Sequence, residues 1–289
     1  MSKIKVSELF YSIQGEGRYA GVPSIFLRTF GCNFKCRCFG RKISEVPINE
    51  IHNPEVVSII NNINDYKSYS DLPLISTGCD SYAAVYPEFK NLSPTLETDE
   101  IAERIISTLP HKAWRDEHLV ITGGEPLLGW QRSYPDLLNH ESMRSLKELT
   151  FETNGTQFLS HQFKDYLRQW GTIDRAYGSI TFSVSPKLSV SGESQADAIK
   201  PELVCSYEDV GYTYLKFVVA SEQDAEEAME ATERYRTAGF NGPVYLMPVG
   251  GVESVYALNN RRVAELAMKL GVRYSDRLQV VLWKNAWGT

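Results

Sequence analysis

An α/β fold, with a mostly parallel sheet that is open or curled towards a partial TIM-like barrel, is what this sequence predicts on two observations. Short runs rich in β-branched and aromatic residues recur along the 289 residues, and amphipathic stretches of helical period lie between them. Strand, helix, strand repetition packs helices against parallel strands, and in barrels of that type the chemistry gathers at the carboxyl ends of the strands.

The candidate strands are residues 24–30, 118–122, 149–153, 179–184, 214–219, 244–247 and 278–282. Thr98 is placed to cap a helix that carries Ile101, Ala102, Ile105, Ile106 and Leu109 on one face, with Pro110 stopping it. Ser221 followed by Asp224 reads as a capping box, and 258–270 reads as a helix closed by Gly271. One stretch breaks the rhythm: 39–78 is polar and rich in Asn, Ser, Pro and Asp, with only a modest helical pattern over 56–63. The expected organisation is therefore one domain over 1–289 with 39–78 as an insertion within it.

Composition limits the function classes. With 43% hydrophobic and 11% aromatic residues the chain can build a sizeable core. Thirty basic against 36 acidic side chains give a net charge of −6, which argues against a surface that tracks phosphates and favours a small, locally bound substrate over nucleic acid. The N-terminal residues have no apolar core of signal-peptide length and no later run is long enough to cross a bilayer, so the expected location is cytoplasmic, with no membrane partner. Five cysteines, at 32, 36, 38, 79 and 205, form an odd set with four in the first third. In a reducing compartment that clustering points to metal more than to disulfides.

Cys32 and Cys36 lie in GCNFKC, just beyond the first candidate strand, and Cys79 lies in GCDS. Three thiolates hold three of the four irons of a cubane and leave the fourth open to a small molecule. Cys38 is an alternative third ligand by proximity, although two residues from Cys36 is tight spacing for two corners of one cluster. A zinc site would recruit it as a fourth thiolate. Asp80 and Ser81 offer oxygens to a neighbouring hard cation. Gly123 and Gly124 follow an apolar strand and let a ligand approach the backbone, while the adjacent Glu125 can receive an ammonium group. Glu152, Thr153 and Asn154 end another strand and could line the same pocket, and the five histidines lie in unrelated contexts.

Taken in order, GCNFKC, CDS, ITGGEP and SPK resemble the motifs of the radical S-adenosylmethionine superfamily. The segment FYSIQGEGRYAGVPSIFLRTFGC resembles the family of 7-carboxy-7-deazaguanine synthases, a likeness that runs from Glu8 to Cys36, resumes at Cys79 and continues through Lys187. The resemblance implies that Cys32, Cys36 and Cys79 ligate a [4Fe–4S] cluster whose open iron binds S-adenosylmethionine. It implies that Gly124 and Glu125 hold the methionine end and that Ser185, Pro186 and Lys187 line the same cofactor. Ile13, Gln14, Gly15, Arg28 and Thr122 would hold a pterin, and Ser81 stands where the family supplies a threonine hydroxyl to Mg²⁺.

The implied reaction is ring contraction of 6-carboxy-5,6,7,8-tetrahydropterin with loss of ammonia, in the deazapurine and queuosine pathway. The expected partners are a flavodoxin-like or other electron donor and a second copy of the chain. Two alternatives stand beside this reading: a radical activase that places a glycyl radical on a partner protein, and a non-catalytic zinc-binding module. The chain departs from the family pattern in three places. The 39–78 insertion separates the second and third cysteines, serine replaces threonine at 81, and the end reads VLWKNAWGT where related chains carry a histidine.

Overall fold

The computed structural model describes residues 2–47, 49–171 and 179–289. Among these residues, nine strands form one sheet: β1 (Lys3–Ile13), β2 (Pro23–Thr29), β3 (Thr95–Glu97), β4 (His118–Gly123), β5 (Glu148–Thr153), β6 (Ser179–Val184), β7 (Tyr212–Val219), β8 (Val244–Pro248) and β9 (Arg273–Tyr274). Their order across the sheet is β3-β1-β2-β4-β5-β6-β7-β8-β9. The β1–β2 and β1–β3 pairs are antiparallel, and every pair from β2 to β9 is parallel. This is the expected α/β architecture with an open, mostly parallel sheet.

The helices are α1 (Pro54–Asn61), α2 (Thr98–Thr108), α3 (Tyr134–Asn139), α4 (His161–Trp170), α5 (Gln195–Ala198), α6 (Pro201–Glu208), α7 (Glu222–Thr237), α8 (Glu253–Leu270) and α9 (Leu278–Trp283). Period-2 alternation of the strands sorts their side chains between two faces. Ile25 and Leu27 of β2, Leu119 and Ile121 of β4, Leu149 and Phe151 of β5, and Ile180 and Phe182 of β6 enter the main hydrophobic core with residues of α2, α3, α4 and α6. Phe151 sits in the middle of that core, 5.6 Å from the rings of both Tyr134 and Phe182 and 5.8 Å from Phe163.

The opposite face is polar. Arg28 pairs in register with Thr122 across β2 and β4, and Glu152 pairs with Ser183 across β5 and β6. Thr122 Oγ1 donates to Glu152 Oε2 at 3.0 Å, which joins the two pairs into a row near the carboxyl ends of four strands. The sheet thus delivers its functional row by the same alternation that builds its core.

The helical expectations hold with small shifts. Ser221 and Asp224 form a reciprocal capping box at α7, and Gly271 ends α8 in the left-handed region, although α8 begins at Glu253. Thr98 is the first residue of α2, and the cap position falls to Glu97. The predicted strand 278–282 is instead the helix α9. A five-residue apolar run suits either state, and here Leu278 N–H donates to the Gly15 carbonyl at 3.1 Å while only Val280 of the run is buried. The strands β1, β3 and β9 were not anticipated; β3 and β9 are three and two residues long and exist through their neighbours.

The 39–78 insertion is more ordered than its composition suggested. Asn53 caps α1 by accepting from Glu55 N–H, and Val56, Ile59, Tyr69, Leu72 and Ile75 form a second small core with Tyr82, Tyr86 and Phe89.

Candidate active site

A cavity opens at the carboxyl ends of the parallel strands, and it is bordered by Cys32, Cys36 and Cys79. The first two lie on the loop after β2. Glu193 secures that loop, because its Oε1 accepts from Lys35 N–H at 2.9 Å and Cys36 N–H at 2.7 Å while Cys36 adopts a left-handed φ of 48°. Cys79 arrives from the far end of the insertion, whose two ends are fastened together. Gly78 N–H donates to the Phe39 carbonyl at 2.7 Å, and Asn53 Nδ2 donates to Arg37 O at 3.2 Å and to Thr77 Oγ1 at 3.0 Å. Glu55 accepts from the backbone and hydroxyl groups of both Ser76 and Thr77. The insertion is therefore a closed excursion that returns the chain beside its starting point.

Cys38 takes no part in this arrangement. It is 1% exposed, its N–H donates to Ser191 O at 3.1 Å, and its sulfur packs against Gly192 outside the cavity wall. Among the described residues, no three His, Cys, Asp or Glu side chains close on a single-ion site. Three thiols around one shared space, with the fourth elsewhere, fit a multi-iron cluster and not the tetrahedral thiolate cage of structural zinc.

Burial pushes the Cys32 thiol up to about 11 and the Cys79 thiol up to about 12, and it raises Cys36 as well. Lys187 is the nearby cation that opposes burial at all three. It donates to Ser185 Oγ at 3.0 Å and, among the described residues, makes no ion pair.

The TGGEP segment does two jobs. Gly123 and Gly124 allow β4 to cross the Cys32 loop closely: a Cβ on Gly124 would lie 2.4 Å from Gly31 O and 2.8 Å from Cys32 Cβ. Glu125, the residue expected to receive an ammonium group, is tied into the protein by its own hydrogen bonds. It is 0% exposed, does not border the cavity, and accepts from Thr153 Oγ1 at 2.7 Å, Asn154 N–H at 2.6 Å and Leu127 N–H at 3.1 Å. Burial drives its carboxyl up to about 7, with those donors and Lys187 pulling the other way. These bonds tie the β4 turn to the end of β5. Pro186 likewise does not border the cavity, whereas Ser185, Lys187, Gly124, Ile13, Gln14, Gly15, Arg28, Thr122 and Ser81 all do.

The floor is a chain of buried charges. Arg28 donates to Glu8 Oε2 at 2.8 Å and to Ser81 Oγ at 2.7 Å. Ser81 leans towards Asp80, Asp80 is paired with Arg277, and Arg277 also donates to Glu16 Oε1 at 3.2 Å. Lys216 pairs with the other Glu16 oxygen, and Gln279 Nε2 donates to Glu16 Oε1 at 2.7 Å. Burial alone would raise the Glu16 carboxyl, but Lys216 and Arg277 reverse the effect and hold it at about 2.

Glu152 is the lining carboxylate without an ion-pair partner among the described residues. Gln14 Nε2 and Thr122 Oγ1 donate to it, one to each oxygen. An apolar side completes the cavity, with the Phe10 and Phe26 rings stacked at 5.0 Å.

Sequence reasoning missed Glu16, Glu193, Lys216, Arg277 and Gln279. Lys216 carried a legible signal, since a lysine inside the apolar strand YTYLKFVV has to be buried with a partner. Arg277 and Gln279 carried none: Gln279 fell in a run read as a strand, and Arg277 lay just before it.

The Ser81 end is suited to an oxygen-preferring cation only in part. It supplies one hydroxyl and the Asp80 carboxylate, both engaged by guanidinium groups, so further ligands must come from substrate and water.

A parallel α/β sheet with three cavity-facing cysteines at its strand ends defines the radical S-adenosylmethionine class of enzyme. Comparisons with known proteins narrow the class. A 7-carboxy-7-deazaguanine synthase from Halobacterium salinarum is 30% identical over 302 residues, covering 98% of this chain and 91% of the relative. Another from Pyrobaculum aerophilum is 25% identical over 286 residues, covering 99% and 97%. The crystal structure of QueE from Escherichia coli superposes with a TM-score of 0.51 at 18% identity, covering 94% of this chain and 93% of that one, a likeness of fold. No family model matches the sequence. The chain belongs to the 7-carboxy-7-deazaguanine synthase family. Among the described residues no helix is long and apolar enough to cross a membrane.

Proposed function

We propose that the cavity converts 6-carboxy-5,6,7,8-tetrahydropterin into 7-carboxy-7-deazaguanine, the activity for which the family is named. Enzymes of this family are radical S-adenosylmethionine lyases that use a [4Fe–4S] cluster, S-adenosylmethionine and Mg²⁺. In this reading Cys32, Cys36 and Cys79 hold the cluster, and Gly124, Glu125, Ser185, Pro186 and Lys187 hold the sulfonium cofactor. Ile13, Gln14, Gly15, Arg28 and Thr122 hold the pterin, and Ser81 serves Mg²⁺. When bound, the cluster and S-adenosylmethionine together supply a carbon radical able to remove a hydrogen atom from the pterin.

The chain's own contribution is recognition and shielding. Lys187, with only Ser185 as a partner, is available to a carboxylate. Glu152, held by Gln14 and Thr122, presents a carboxylate of the kind that matches the adjacent N–H donors of an aminopyrimidinone ring. Arg28 offers a planar fork to the substrate carboxylate, and its bond to Ser81 brings that fork to the oxygen cluster. Phe10 and Phe26 keep one side of the cavity apolar, which excludes water from a reactive intermediate.

The single observation that supports this reading is that thiols from two distant segments border the same cavity as the polar row on the strand ends. The test is anaerobic incubation of cluster-loaded protein with reductant, Mg²⁺, S-adenosylmethionine and the carboxytetrahydropterin. Deazaguanine product in step with deoxyadenosine is expected; deoxyadenosine without any deazaguanine overturns the substrate assignment. The same reading makes the protein a cytoplasmic homodimer that takes electrons from a flavodoxin-like donor, with 1–289 as one domain and 39–78 inserted within it.

A further inference from the structure

We propose that Trp287 is a positioning residue for the substrate end of the cavity, and that the 39–78 insertion, a segment with no other assigned role, supplies its socket. The inference rests on the function proposed above and goes beyond it. Trp287 is half-buried, and its indole N–H donates to the Leu72 carbonyl at 2.7 Å. Its ring meets Tyr69 edge-on at 4.8 Å and Tyr82 at 5.9 Å. The socket is locally built: Ser68 and Asp71 form a reciprocal capping box around the short turn Tyr69–Asp71, which fixes Tyr69 and presents the Leu72 carbonyl.

Trp287 and the residues beside it share one wall of the cavity. Asn285, Ala286, Gly288 and Thr289 border the cavity, so an anchor at 287 sets where that wall stands. The wall is also wired to a substrate-facing cation. The Gly288 backbone lies near enough to the Glu8 carboxylate to favour its charged form, and Glu8 in turn holds the Arg28 guanidinium at 2.8 Å. On the socket side, the Tyr69 hydroxyl is buried without a hydrogen-bond partner among the described residues, within electrostatic reach of both Arg28 and Glu8. Trp287, Tyr69, Glu8 and Arg28 thus form one connected unit, and releasing the indole loosens Arg28.

The experiment uses cluster-loaded, full-length protein carrying Trp287→Ala, Trp287→Phe or Tyr69→Leu, and the double variant Trp287→Ala/Tyr69→Leu. The expected result for Trp287→Ala is a KM for the carboxytetrahydropterin raised about tenfold or more, the scale of losing a buried anchor. Its iron content and its affinity for S-adenosylmethionine by equilibrium binding stay as in the wild type. Deoxyadenosine formed per deazaguanine should rise, because a displaced wall leaves the radical less well aimed; a purely structural role would lower yield and Tm without moving that ratio. Trp287→Phe, which keeps the ring and loses the N–H, should fall between the two. The double variant should be no worse than Trp287→Ala, since both changes break one unit.

An unchanged KM and product ratio in Trp287→Ala overturns the proposal, as do fully additive effects in the double variant. Failure of the wild type to turn over the pterin would instead overturn the assigned function, so the two failures are distinguishable.

Discussion

The cavity wall built from the ends of β2, β4, β5 and β6 and the wall built from the insertion and residues 285–289 are held in place by different physics. The strand-end wall is a by-product of sheet register: alternation sends Leu149 and Phe151 into the core and Glu152 towards the cavity, and parallel ladders align Arg28, Thr122, Glu152 and Ser183. The second wall has no ladder. Its pieces are placed by the small core around Tyr69, Tyr82 and Phe89 and by a few polar clamps, namely Asn53 and Glu55 at the base of the insertion and Trp287 on the Leu72 carbonyl. Register distributes the load over many bonds, whereas a clamp concentrates it in one side chain. The strand-end wall should therefore resist polar substitutions that disable the other.

The largest expected effect separates the cysteines. Cys79→Ala should lose most of its iron and all sulfonium cleavage, while Cys38→Ala retains both; iron and sulfide counting with deoxyadenosine assay decides between them. Full iron in Cys79→Ala would dissolve the link between the insertion and the site. Gly124→Ala should come next. Its new Cβ meets backbone at Gly31 and the Cys32 side chain, neither of which is a flexible tip, so the Cys32 loop must move and cluster occupancy should fall. Absorption of the reconstituted cluster measures this.

Two stability measurements sharpen the contrast. Phe151→Ala, which empties the centre of the aromatic core behind the strand-end wall, should cost about 3–5 kcal/mol in denaturant unfolding. Asn53→Ala should cost less, about 1–3 kcal/mol, the range for a buried polar cluster deprived of one partner. Yet it should lower iron content where Phe151→Ala, if folded, does not.

The smallest effect is a pH dependence. Glu16 has its carboxyl held at about 2 in the folded chain against an ordinary 4.5, so the unfolded state takes up its proton first as pH falls. Its stabilising contribution is complete above pH 4.5 and is lost progressively between pH 4.5 and 2. Glu16→Gln should flatten that part of the Tm-against-pH curve, and an unchanged slope would show that Lys216 and Arg277 do not depend on it.

The contrast also marks how far the sequence could be read. Six of the seven candidate strands were found within about two residues at each end, because β-branched runs bounded by turn residues carry their own periodicity. Cys32, Cys36, Cys79, Gly124 and Arg28 were legible as motif residues at strand ends. Glu125 was legible as a motif residue, but its buried bonds to Thr153 and Asn154 were not, since a sequence does not say which way a carboxylate turns. Glu193, Arg277 and Gln279 were invisible, since each acts on a partner more than a hundred residues away.

By itself the sequence determined the parallel sheet, the polar ends of its strands and the three thiols that suit a cluster, because alternation, turn chemistry and cysteine spacing are local properties of the chain. Only the tertiary structure decided that Cys79 and not Cys38 joins Cys32 and Cys36, that Glu125 faces inward, and that Trp287 docks on the insertion. Those outcomes depend on how distant segments close on one another, which is settled by burial and by single hydrogen bonds across long loops.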